Sequence, residues 1–96
     1  MEFADRATRD FFNGILSKAA RNIVPAALRQ RALDKLTVLD AAVSLDQLRI
    51  PPGNRLEVLR GNRAGMYSIR VNDQFRICFT WTDAGPIDVE IVDYHK

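Results

Sequence analysis

The sequence predicts an α+β fold: one or two helices packed on one face of an antiparallel sheet built from consecutive hairpins. Three observations predict it. Apolar residues recur at helical spacing through the first half of the chain, and they alternate with a period of two through the second. The alternating runs are separated by short, turn-rich connections.

Phe3, Ala7, Phe11 and Ile15 recur every four residues and predict a short first helix, with Gly14 placed to stop it. Pro25 then opens a longer helix, proline being tolerated in a first turn. Leu28, Ala32, Leu36, Leu39 and Val43 mark its apolar face, and Arg29, Arg31, Asp34 and Lys35 lie off that stripe. "IPPG" ends it, because two prolines remove donors and restrict the residue before them. Strands are predicted over "RLEVL", over Met66–Val71 and Phe75–Trp81, and over Ile87–Asp93. "GNRAG", "NDQ" and "TDAGP" supply the turns.

Ninety-six residues make a single domain, spanning 1–96, that hides roughly 60–65% of its unfolded surface. A 47% hydrophobic and 27% charged composition is that of a globular chain and excludes disorder. Cys78 is the single cysteine, which excludes an internal disulfide and a cysteine-based zinc site and suits a reducing compartment. With no apolar run long enough to span a bilayer and no signal-peptide layout, the expected location is the cytoplasm.

The net charge is only +2, but 11 of the 14 cationic residues are arginine. Five of them, Arg55, Arg60, Arg63, Arg70 and Arg76, face only Glu57 and Asp73 within their own stretch of chain. Arginine's planar fork of donors matches phosphate oxygens, so this middle segment suits either a polyanion or a solvated face. Alternation decides what each strand offers. Tyr67, Ile69, Val71, Phe75, Ile77, Phe79 and Trp81 point to the core, with Ile87, Val89 and Ile91 from the last strand. Ser68, Arg70, Arg76, Cys78 and Thr80 then point to the opposite face. Arg70 and Arg76 flank one tight turn and repel unless something anionic lies between them, a ligand or else Asp73 or Glu90.

"LRIPPGNRLEVLRGNRAGMYSIRVNDQFRICFTW" followed by "VEIVDYH" resembles the HigB toxins of bacterial toxin–antitoxin pairs, within the RelE/ParE superfamily. The likeness spans about Leu28 to His95. It implies a small twisted antiparallel sheet with two helices packed on it, usually opened by a short strand for which "MEF" leaves little room. It also implies a ribosome-dependent endoribonuclease that cuts messenger RNA, in the bacterial cytoplasm. The expected partner is a HigA-like helix-turn-helix antitoxin that represses the operon, so that operator DNA is contacted only through the antitoxin. Inhibition would come from covering the basic face or from blocking access to the ribosome. The other function open to the same fold is a weakly catalytic or binding toxin, similar to ParE in acting on DNA gyrase.

Cutting RNA without a metal or other cofactor uses the neighbouring 2′-hydroxyl as nucleophile. That needs a proton acceptor, an acid for the leaving 5′-oxygen, and cations for the charge growing on the phosphate. By resemblance, the terminal "DYH" places Asp93, Tyr94 and His95 in the catalytic site, and "QFRICF" makes Arg76 the transition-state clamp. Arg55, Arg60, Arg63, Arg70 and Lys96 are the expected RNA contacts. His95, the single histidine, suits proton transfer near neutral pH. Many relatives carry histidine where this chain has Glu57. Beside Arg55 and Arg60 that glutamate is expected to be ionised, and it serves as a base only if its pKa is raised.

Overall fold

The computed structural model describes residues 1–94. Three helices, α1 (Arg6–Phe12), α2 (Lys18–Arg21) and α3 (Arg29–Ala41), precede four strands, β1 (Glu57–Val58), β2 (Tyr67–Arg70), β3 (Phe75–Thr82) and β4 (Gly85–Asp93). The strands form one antiparallel sheet in the order β1-β2-β3-β4, as consecutive hairpins require. The α+β architecture is therefore the one the periodicity predicts.

The first helix is shorter than its apolar repeat. Asp5 caps it, its carboxylate accepting from the Thr8 N–H at 2.8 Å, and Gly14 follows it at φ +75°. Ile15 thus falls beyond the helix and is exposed. A polar residue anchors α1 to the sheet instead: buried Thr8 Oγ1 accepts from the Ile91 N–H at 3.2 Å. The short helix α2 has no counterpart in the predicted pattern. It forms because the Ser17 hydroxyl accepts from Ala20 N–H at 3.2 Å and satisfies an otherwise orphan donor.

α3 lays Ala32, Leu36 and Leu39, all fully buried, against Ile69, Ile77, Phe79 and Val89. Val43, expected on that stripe, is 83% exposed, since the helix ends at Ala41. The predicted inward set Phe75, Ile77, Phe79, Val89 and Ile91 is buried. Ile87 is not part of it. The register shifts between Cys78 and Thr80, with Asp88 at φ +53°, so one strand carries an extra residue and changes phase. Ile87 therefore pairs with Thr80, on the face opposite Val89.

Glu2–Ala4 runs beside β4 in parallel, with Ala4 N–H donating to the Val89 carbonyl at 2.9 Å and Val89 N–H to Glu2 at 3.0 Å. The few residues of "MEF" thus make a minimal edge pairing. The predicted strand over "RLEVL" contracts to β1, two residues long. Before it, 3-10 turns at Leu45–Arg49 and Pro52–Asn54 carry the chain from α3 to the far side of the sheet.

Candidate functional site on the open face of the sheet

Helices cover one face of the sheet, and the other carries the polar members of each alternating strand. Pairing sets Glu57, Ser68, Cys78 and Glu90 in one cross-strand row, with Arg70, Arg76 and Val92 in the next. This face is not simply solvated, because Ser68 and Cys78 are fully buried and Arg76 is only 9% exposed. Over Arg76 lies the segment entering β1. Arg55 there adopts the left-handed conformation (φ +46°), turning its carbonyl onto the sheet. The segment is pinned by Asn54, which is fully buried. Asn54 Nδ2 donates to the Leu48 and Ile50 carbonyls, each at 3.2 Å, and its Oδ1 accepts from Lys35 Nζ at 2.5 Å.

Arg76 is the centre of this face. Its Nε donates to Ser68 Oγ at 2.7 Å, and its Nη2 donates to the Arg55 carbonyl at 2.6 Å and the Ser68 carbonyl at 3.3 Å. Glu57 Oε2 stands 3.9 Å from the same Nη2. Nη1 has no protein partner among the described residues, so two of the five N–H donors stay available for an anion. Glu57 is exposed, and the cation it meets is Arg76 rather than Arg55 or Arg60.

The neighbouring arginines divide into two groups. Arg70 stands directly across from Arg76, and the repulsion is relieved by Asp73, which pairs with Arg70 across the β2–β3 turn. Arg63 pairs with Glu90 at 2.7 Å, and that hydrogen bond holds its pKa above the usual arginine value. Arg55 and Arg60, by contrast, have exposed side chains with no hydrogen bond or ion pair among the described residues.

Tyr94 leaves β4 on this same face. Its N–H donates to the Gln74 carbonyl at 2.6 Å, and its hydroxyl lies 3.6 Å from Cys78 Sγ. Burial, reinforced by that contact, pushes the phenol above its ordinary pKa. Burial likewise pushes the Cys78 thiol up. The floor of the site is therefore a neutral thiol, and Tyr94 is a protonated donor at neutral pH. Asp93, across from Phe75, takes the helix-side register, where Gln74 Nε2 donates to both its oxygens at 3.2 Å. His95 and Lys96 lie outside the described residues.

The face thus gathers Arg76, Glu57 and Tyr94, with Arg63 and Arg70 at hand, and sets Asp93 on the other register. Ser68 and Asn54 are the positioning residues that the sequence pattern did not single out. For Ser68 the signal was present: it lies two positions before Arg70 on the same face. For Asn54 there was none, since its partners come from α3 and the preceding turn. Among the described residues no three His, Cys, Asp or Glu side chains stand close enough to hold one metal ion.

The family model for RelE-like HigB toxins of type II toxin–antitoxin systems matches residues 1–95. The chain belongs to that family. It is 38% identical to Toxin HigB-1 of Vibrio cholerae serotype O1 over 96 residues, covering all of this chain and 97% of that protein. A second relative, an uncharacterised protein of Haemophilus influenzae, is 36% identical over 58 residues, 60% of this chain and 57% of its own. As a HigB-like toxin the chain is one half of a toxin–antitoxin pair, and an antitoxin is its partner. No helix among the described residues of the toxin is long and apolar enough to cross a membrane.

Proposed function

We propose that this toxin is an endoribonuclease that cuts messenger RNA on the ribosome, without a metal, and so inhibits translation. The observation that carries this reading is that Arg76, whose Nη1 has no partner among the described residues, and the protonated hydroxyl of Tyr94 lie on one open face. The 2′-hydroxyl oxygen attacks phosphorus and the bond to the 5′-oxygen breaks, leaving a 2′,3′-cyclic phosphate. Arg76 Nη1 stabilises the charge growing on the phosphate oxygens. Tyr94, protonated at neutral pH, gives its proton to the leaving 5′-oxygen. Glu57, exposed and 3.9 Å from Arg76, accepts the proton of the 2′-hydroxyl. His95 and Asp93 enter through the family motif, His95 as a second proton carrier and Asp93 to orient it.

Arg55 and Arg60, with no acidic partner among the described residues, take RNA phosphates first, while Arg63, Arg70 and Lys96 add to the grip. The partner is a HigA-like helix-turn-helix antitoxin, through which alone the toxin reaches operator DNA, and the pair works in the bacterial cytoplasm.

One observation favours a second reading. Arg76 spends three donors inside the protein, which suits a weakly catalytic toxin that acts by binding a target such as DNA gyrase. Mapping of messenger RNA ends after controlled expression, and in vitro with and without purified ribosomes, separates the two. New 5′ ends only when ribosomes are present are expected; growth arrest without new ends leaves the second reading.

A further inference from the structure

We propose that the apolar groove between the α1–α2 connection and α3 is the seat of an acidic, amphipathic segment of the antitoxin. Ile15 and Leu16 are 52% and 75% exposed, side by side on the helical layer and away from the open face of the sheet. They are not on a loose loop. The Ile15 N–H donates to the Asp10 carbonyl at 2.8 Å, and Ser17, immediately after the pair, caps α2. A rigidly presented apolar pair loses little freedom on binding, which is what a preorganised docking surface needs. With Phe11 and Leu33 the pair lines a groove of about 180 Å³, room for about one or two large apolar side chains of a partner helix.

The rim decides which partner. Arg21 and Arg29 border the groove, and Arg29 Nη2 donates only to the Arg21 carbonyl, at 3.0 Å. Neither guanidinium has an acidic partner among the described residues, and Lys18 beside them has none either. Of the nearby carboxylates, Asp34 accepts from Gln30 at 2.8 Å and buried Asp10 faces Arg6 at 3.8 Å. An uncompensated cationic rim around an apolar floor selects a segment with apolar anchors and acidic flanks. Family membership supplies an obligatory protein partner, so the antitoxin is the occupant. Seated there it leaves the sheet face uncovered, and its bulk would keep the toxin from the ribosome.

The test uses the purified toxin and its own antitoxin in titration calorimetry. Leu16→Glu is expected to weaken binding by about 10–100-fold, because it removes an anchor and repels the acidic flanks. Arg21→Glu combined with Arg29→Glu is expected to weaken it by about tenfold or more, with loss of its salt dependence. Val43→Glu, an equally exposed apolar site beyond α3, should leave affinity unchanged, and Leu16→Glu should remain folded and toxic. Wild-type affinity in both groove variants overturns the proposal. So does an effect of Leu16→Glu confined to self-association of the free toxin, which would make a second copy the occupant, or confined to ribosome binding. None of these results depends on whether the toxin cuts RNA.

Discussion

The guanidinium of Arg76 donates to the backbone carbonyl of Arg55 at 2.6 Å, so one residue both faces the open side of the sheet and holds down the loop entering β1. Structure and the proposed chemistry therefore share a side chain. Among the described residues, Arg76→Ala removes the only donor to Ser68 Oγ and to that carbonyl, leaving a buried and a part-buried acceptor unsatisfied. A loss of about 2–4 kcal/mol is expected in urea unfolding, together with loss of cleavage. Arg76→Lys should recover only part of the activity, because its point charge remains but the fork that reaches Ser68, Arg55 and a phosphate together is gone. Full stability in Arg76→Ala would show that the loop holds itself.

Arg55 separates backbone from side chain. Its left-handed φ costs a residue with a Cβ about 1 kcal/mol that glycine escapes. Arg55→Gly is therefore expected to be as stable as the parent or slightly more so, while losing a cation that has no partner among the described residues. RNA binding should weaken, and the slope of log affinity against log salt should fall by about 1. An unchanged slope would remove Arg55 from the RNA contacts.

Tyr94 is 38% exposed, so its substitution should cost little stability and much activity. Tyr94→Phe is expected to lower cleavage of a defined message on purified ribosomes by about 10²–10⁴-fold, as loss of a general acid does. His95→Ala should act in the same range with unchanged circular dichroism. Full activity in a folded double variant would exclude the tail from the chemistry.

Stability at alkaline pH follows from the two raised groups. Burial holds the Cys78 thiol and the Tyr94 phenol protonated in the folded chain beyond their ordinary ranges. The unfolded chain releases those protons first, so the stabilisation is complete below the ordinary values and is lost as pH rises through the folded ones. Unfolding free energy should decline above about pH 9. The decline should be shallower in Cys78→Ala, Tyr94→Phe, measured by urea melts across pH; an identical slope would mean that other groups govern it.

Asn54 links Lys35 on α3 to the turn before Arg55. Asn54→Ala removes three hydrogen bonds from a fully buried position, at an expected cost of about 2–4 kcal/mol. Cleavage should fall as well, because the Arg55 carbonyl that orients Arg76 is carried by this turn. Unfolding experiments and the ribosome assay test the two effects separately.

The strands β2, β3 and β4, their inward residues and the opposition of Arg70 and Arg76 were legible in the sequence, because alternation and turn chemistry act over a few neighbouring residues. Other features depended on partners remote in the chain. Ser68, Arg76 and Cys78 read as an outward polar set, yet they are buried: the segment ending at Arg55 folds back onto Arg76, and Tyr94 lies against Cys78. Ile87 reads as a core position, yet the extra residue at Asp88 turns it to the opposite face. α1 read as an apolar repeat through Ile15, but Asp5 and Gly14 set its ends and left Ile15 and Leu16 on the surface. Periodicity fixes which face of a strand a residue takes. Whether that face meets water, another loop or a partner is set by contacts between segments far apart in sequence, and only the folded chain brings those together.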